Sequence, residues 1–399
     1  MEMFQKDARA EAIQDTFEYY SESRSDWENE ARDDLDFYLG NHFDSQEEEY
    51  LSSINQGSYV IDRIYPAVEQ LKSMLTAKTP KFTAIGREDS DNKLAMVWRT
   101  ILEYVWDVSD GDVKFKEAIH DYATIGVGYL YAYLDPQADM GRGEIKFTSL
   151  NPFRVYVDPA SRDRYLKDAS SIIVSTILTE EQLIQTYPQL IEPDEEGNIL
   201  LEGIEPYNEG VYSEDDFPSS SKSNRQVTFT PDVVKNYQHK GNKTPKRYRL
   251  LEHYSKIHVT FYRVENRIDG TEKIFDEAQM AEFSSSPEGK KLLSEGFVDF
   301  VPVKQPRVMQ VCALGQIILY EYLLNTDIFP VVPIPNIWTN TPYPKSDVSK
   351  CKDIQRLINK LFSLTLSHAQ TSAGLKLIVP QGSVEDIQQL EQDWANPNA

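Results

Sequence analysis

Through the first third of the chain, apolar residues recur every three or four positions, the period of a helix with one buried face. Trp27, Ala31, Leu35 and Tyr38 share such a face over Asp26–Leu39, and Gly40 supplies the stop. A second helix is predicted over Tyr65–Leu75, with Pro66 tolerated in its first turn. A third spans Asp91–Asp107, where Leu94, Trp98, Ile101, Leu102 and Val105 form a stripe expected to be buried. A fourth runs from Val113 to Ile125 and is closed by Gly126.

From Tyr129 the period drops to two. Tyr129–Leu134 and Glu144–Thr148 read as a hairpin, followed by strands at Val155–Val157 and Ile172–Val174. Thr179 and Gln182 form a capping box for a helix that ends before Pro188. Glu192–Lys246 is rich in Pro, Ser, Asn, Gly and acid, and reads as a surface excursion. Tyr248–Asn266 is a basic strand and Asp276–Gly296 a broken helical segment. Strands follow at Val298–Val303, Arg307–Leu314, Ile317–Leu323 and Phe329–Ile334, with Gly315-Gln316 as a tight turn.

Lys345–Gln370 carries the strongest helical pattern. Ile354, Leu357, Ile358, Leu361, Leu364 and Thr365 fall on one arc, which is expected to pack. Lys352, Arg356 and Lys360 fall opposite, with Ser349, Asn359 and Ser363. Gly374 interrupts; a strand over Leu375–Val379 and a helix over Val384–Trp394 are expected beyond it. The alternation of these blocks predicts an α+β fold, and 399 residues suffice for two or three domains.

Composition narrows the class. No apolar run approaches the ~20 residues that cross a bilayer, and Met1–Asp7 lacks a basic-then-apolar leader pattern, so a soluble chain made in the cytoplasm is expected. Cys312 and Cys351 are the only cysteines, which argues against a disulfide framework or a zinc site. The net charge of -23 is unlike a protein that grips DNA by phosphate neutralisation. It fits a solvated surface, or one that DNA passes without sticking.

Few residues suggest chemistry. His253 and His258 point to opposite faces of a strand, and no Gly-x-Ser-x-Gly occurs. Gly126-Val127-Gly128 follows a helix and precedes a strand, the reverse of a phosphate loop. Asp107–Asp112 lacks the alternating acids of a calcium loop. One enzyme-like set stands: Asp135 beside Glu144 and Lys146 on the paired strand, the arrangement by which some nucleases hold a divalent metal. An ordinary polar face gives the same pattern. No cofactor or structural metal is expected.

Two stretches carry a family likeness. The first is Asn151-Pro152-Phe153-Arg154-Val155-Tyr156-Val157-Asp158-Pro159. The second is Phe329-Pro330-Val331-Val332-Pro333 followed by Gln355-Arg356, Asn359 and Ser363 in the spacing Gln-Arg-x-x-Asn-x-x-x-Ser, then Ala373 and Lys376–Val379. In order and spacing the chain resembles the portal (head–tail connector) proteins of tailed bacteriophages, the short-tailed type especially. The likeness covers most of the chain. It departs where a family glycine is replaced by Asn340–Pro344, and relatives continue beyond Ala399 into a tunnel loop and helical crown.

The resemblance implies a dodecameric ring at the portal vertex of the virion, assembled in the host cytoplasm. Double-stranded DNA is driven through it by terminase, head–tail adaptors dock on it, and capsid and scaffolding proteins surround it. By that likeness, residues 1–275 form a wing: helices over 1–126, hairpin and strands over 129–178, a mobile insertion at about 192–246 and a basic β segment over 247–268. Residues 276–296 form the first stem helix, 297–343 the clip, 344–371 the second stem helix, and 372–399 a return toward the tunnel loop. Lys345, Lys352, Arg356 and Lys360 would face transient, non-specific DNA in the channel. Arg307, Gln316, Tyr320 and Tyr322 would carry the clip's partner contacts, and the clip strands would have edges that only ring neighbours hide. The alternatives are a metal-dependent nuclease using Asp135, Glu144 and Lys146, or a capsid-associated scaffold without a DNA path.

Overall fold

The computed structural model describes residues 7–53, 57–86, 91–136, 138–191, 200–204, 206, 246–266, 272–286 and 298–373. The expected insertion at 192–246 lies almost wholly outside them, as do residues 287–297 and the strand and helix expected beyond Gly374. The described elements, in chain order, are α1 (Ala8–Tyr38), α2 (Ser45–Ser53), α3 (Ile64–Leu75), α4 (Asn92–Val108), α5 (Gly111–Thr124), β1 (Val127–Asp135), β2 (Glu144–Leu150), β3 (Val155–Val157), β4 (Ser171–Thr179), α6 (Glu180–Thr186), β5 (Arg247–Asn266), β6 (Glu272–Phe275), α7 (Glu277–Ser285), β7 (Val298–Leu314), β8 (Ile317–Leu324), β9 (Val331–Pro335) and α8 (Asp347–Ala373). The fold is α+β, with no helix among the described residues long and apolar enough to cross a membrane.

Two antiparallel sheets meet face to face. The smaller has the order β2-β1-β9; the larger has β3-β4-β5-β7-β8, with β6 on the distal end of β5. Alternation along the strands sets the layers. Ile172, Val174, Tyr254 and Val308 point toward the small sheet, where they meet Val127, Tyr129 and Val331. Their neighbours Ile173, Leu251, Val311 and Tyr156 point the other way, onto Ala10, Ile13, Phe17 and Tyr20 of α1. The second half of α1 leaves the sheet and packs Leu35, Phe37 and Tyr38 against α3, Ala123 of α5 and Val348 of α8. Helix α5 lies on the small sheet so closely that a Cβ on Gly128 would sit 2.0 Å from the Ala118 carbonyl oxygen.

The Asn151–Pro159 motif is architecture. Arg24 of α1 is buried; it donates to the Phe153 and Val155 carbonyls, and its guanidinium lies 3.6 Å over the Tyr156 ring. Asn151 Oδ1 accepts from Phe153 N, and Asp158 caps the following loop through Ala160 N and Ser170. The Thr179–Gln182 capping box forms as expected. So does the α5 stop: Gly126, at φ 107°, and Ile125 both donate to the Asp121 carbonyl.

Two expectations change. Strands read as separate at 298–303 and 307–314 are one strand, paired with β5 from Leu250↔Leu314 to Asn266↔Val298. The segment expected to be a separate clip thus includes an inner strand of the large sheet, paired along its length with β5 of the expected wing. Of the expected first stem helix, Glu277–Ser285 is helical and packs Met280 and Phe283 on Tyr262, Val264 and Phe275.

Candidate functional site

Helix α8 presents its polar face to the fold. Gln355 and Asn359 are 2% and 1% exposed, while Ile354 and Leu357 are 63% and 56% exposed. The expected packing arc of Ile354, Leu357, Leu361 and Leu364 faces outward. Periodicity locates an apolar face but does not say whether the chain's own core covers it.

The inward face is a ladder. Ser363 Oγ, Asn359 Oδ1 and Gln355 Oε1 accept the N–H groups of Tyr59, Ile61 and Arg63 at 3.4, 3.1 and 3.1 Å. Four residues of helix rise ~6.0 Å and two residues of extended chain ~6.6 Å, so the spacings match and the two segments run antiparallel. This gives the Gln-Arg-x-x-Asn-x-x-x-Ser motif its physical role. Gln355 Nε2 also donates to Ile61 O and to Asn359 Oδ1, which fixes Asn359 Nδ2 as a donor to His42 Nδ1 at 2.9 Å. His42 Nε2 therefore carries the proton and donates to the Phe37 carbonyl at 2.9 Å. Burial holds this imidazole below its ordinary pKa.

Farther along, α8 meets an acidic stripe of α1. Lys345 Nζ lies 2.8 Å from Glu30, Lys352 Nζ lies 2.7 Å from both Asp33 and Asp34, and Arg356 lies 3.3 Å from Asp33. Ser346 and Ser349 donate to Asp34 and Glu30. Burial works against the Lys352 ammonium, yet Asp33 and Asp34 outweigh it and raise its pKa. For Asp34, burial dominates and its pKa rises.

The four residues expected to face DNA differ in their surroundings: Lys352 is buried in an ion cluster, Lys345 is half-buried and paired with Glu30, and Arg356 and Lys360 are exposed, Arg356 beside Asp33. The cause is the acidic row Glu30, Asp33 and Asp34, whose position opposite α8 no local pattern revealed.

The four expected clip contacts do not form one patch. Tyr322 is exposed. Tyr320 turns inward, donating to Glu252 at 3.3 Å in a network with Tyr131, Tyr254 and Gln310. Gln316 sits on the exposed turn, where its carbonyl accepts from Asp7 N. Arg307 stacks 4.8 Å over Phe261. Among the described residues no strand covers the outer edge of Val298–Arg307. Val308 directs its N–H outward to Thr326 O, so Pro306 and Pro302 occupy outward positions too. Proline thus takes two of the outward N–H positions along that edge, beside Phe300 and Lys304, which weakens it as a template for strand addition.

Asp135, Glu144 and Lys146 do come together on one hairpin, with Asp135 opposite Glu144. Lys146 Nζ pairs with Asp135 at 3.0 Å, and Tyr104 donates to Glu144 at 2.6 Å. The arrangement offers two carboxylates, one already neutralised. Among the described residues no group of three His, Cys, Asp or Glu side chains could hold a metal. A cleft of about 790 Å³ between α3, α5 and β2 is lined by Glu69, Lys72, Lys116, His120 and Asp121. Burial, with Glu117 nearby, pushes the Asp121 carboxyl up to about 8. Its mixed charge selects no one ligand class. Arg24, the acidic row Glu30, Asp33 and Asp34, His42 and Asp121 are among the structurally engaged residues that no local pattern signalled.

The family model described as phage P22-like portal protein matches residues 14–399. No curated protein matches the chain.

Proposed function

Since the chain belongs to the P22-like phage portal protein family, we propose that it forms the ring channel through which double-stranded DNA enters and leaves the phage head. In this reading it is a structural virion protein of the head–tail connector. The ring docks the terminase large subunit and head–tail adaptors, and it sits among capsid and scaffolding proteins at the portal vertex after assembly in the host cytoplasm. The observation that carries the reading is the family match along nearly the whole chain. The outward apolar faces of α8 and α4 support it, because a subunit that buries a polar helix face and exposes the apolar one is shaped for neighbours. The net charge of -23 supports a surface that DNA slides past, with exposed Lys360 as a transient contact.

Light scattering and negative-stain imaging of the purified chain test this. The expected result is a particle many times the mass of one chain, with a central hole in face-on views. A species that stays monomeric over a wide concentration range would overturn it.

A further inference from the structure

We propose that the cleft between α3, α5 and β2 binds an alkyl cation, a guanidinium or primary ammonium on a short hydrocarbon stem, with the Asp121 carboxylate as its counter-ion. The site lies away from the α8 contacts and stands apart from the ring reading above.

The lining is mixed in charge as a whole, but its charges are not equally free. Glu69 is taken up by Lys72 Nζ at 2.7 Å and by the Tyr38 hydroxyl. Glu117 pairs with Lys114 at 3.1 Å. Lys116 is exposed and forms no ion pair with Asp121. His120 is held neutral by burial, which lowers its pKa, and so adds no positive charge. Among the described residues the Asp121 carboxylate has no hydrogen-bond or ion-pair partner, although it lines the cleft.

Three effects oppose an ionised Asp121. Its surroundings draw it out of water, and Glu117 stands one turn earlier on the same helix. It also lies in the last turn of α5, where the helix dipole presents its negative end. Lys72, whose field acts the other way, is already committed to Glu69. The cleft is therefore short of one positive charge, and Asp121 keeps a proton in its place at neutral pH, with a pKa of about 8.

The rest of the wall sets the shape of the missing cation. Leu35, Val113, Ile125 and Phe153 line the cleft, and its volume of about 790 Å³ is that of a small-molecule site. A bare metal ion would leave those apolar walls wet and find a single free carboxylate; an anion would meet Asp121 directly. A charged head on a hydrocarbon stem satisfies both parts of the lining. Free alkyl amines and the side chains of arginine and lysine share this chemistry.

The test is titration calorimetry of the full chain with n-butylguanidinium, in two buffers of different ionisation enthalpy. The cation binds the ionised form, so at pH 7 it should expel close to one proton per chain, and its affinity should rise about tenfold between pH 6 and pH 7. The uncharged n-butylurea should bind at least ~10-fold more weakly. Asp121→Asn should abolish the proton release and cost at least ~10-fold in affinity for n-butylguanidinium. It should melt no lower than the parent, since it removes a disfavoured charge, and that melt shows the variant folded. A probe that does not saturate, binds independently of pH, or binds Asp121→Asn as well as the parent overturns the proposal. Two results support it and separate the sources. Uptake by assembled and dissociated chains alike assigns the cleft to a free alkyl cation. Uptake by dissociated chains alone assigns it to a basic side chain of the neighbouring copy.

Discussion

The two halves of α1 are held by opposite chemistry. Ala10, Ile13, Phe17 and Tyr20 seat the first half on the large sheet with an apolar stripe. Ten to fourteen residues beyond Tyr20, Glu30, Asp33 and Asp34 hold α8 through ammonium, guanidinium and hydroxyl groups. The first contact removes apolar surface from water and is directed mainly by shape. The second fixes α8 in one rotation and register, since ion pairs and the amide ladder fit only one alignment. Its consequence is that the apolar side of α8 points away from its own fold. Where a helix binds by its polar face, its hydrophobic face is available to another chain.

The sheet-facing half should be the more costly to damage. Phe17 is 4% exposed, and its ring lies 4.5 Å from that of Tyr156 at a tilt of 57°. Phe17→Ala should lower the unfolding free energy by about 3–5 kcal/mol, read by denaturant titration. A loss below about 1 kcal/mol would mean that α1 docks on the sheet by something other than this stripe.

At the ionic half, the asymmetry of buried charge decides the outcome. Lys352→Met removes the ammonium that Asp33 and Asp34 share, leaving Asp33 with Arg356 and Asp34 with the Ser346 hydroxyl, and should cost about 3 kcal/mol. Adding Asp33→Leu and Asp34→Leu in the same chain should recover most of that loss, because apolar groups of similar size replace a desolvated cluster. A triple variant no better than the single one would show that the cluster stabilises by its own attraction and not merely by mutual neutralisation.

Much of this architecture was legible in the sequence, and its gaps have physical causes. The hairpin, the Val155–Val157 and Ile172–Val174 strands, the Thr179 cap and the glycine stops follow from local chemistry, and the structure has them. The first half of α1 was missed because its apolar row is one residue wide among acids, enough for a flat sheet but weak as a pattern. The gap expected between Val303 and Arg307 is filled by continuous strand, and Pro302 and Pro306 are accommodated because the missing N–H of each faces an unpaired edge. The rotation of α8 and the burial of Lys352 depend on Asp33 and Asp34, more than three hundred residues away in sequence, and no periodicity reports that.

Histidines sharpen the comparison through pH. His42 lies under the α8 ladder and His253 on the sheet face toward α1; burial lowers both pKa values, His253 to about 4 from 6.5. The unfolded chain therefore takes up protons first as pH falls. Stability from these neutral imidazoles is complete above pH ~6.5 and is lost progressively below it, by up to about 3 kcal/mol at pH 4 for His253. Thermal melts from pH 7 to 4.5 should fall more steeply in the parent chain than in His253→Gln. Parallel slopes would mean that His253 is wet enough to titrate normally.

The smallest effect should come from the face that hydrophobicity would call the core. Leu361 is 55% exposed on α8, whereas a Leu inside the sheet stack would be sealed. In dissociated subunits Leu361→Ser removes little contact, so its unfolding free energy should change by less than about 0.5 kcal/mol. The same change in a true core position costs several kcal/mol. The comparison is best made in dilute protein, where association contributes nothing to the melt. A loss above 2 kcal/mol there would place Leu361 against its own subunit and reverse the assignment of faces on α8. A null effect in dilute subunits, with a fall in melting temperature once the chain is concentrated enough to assemble, would show that the apolar face stabilises only when a neighbour covers it.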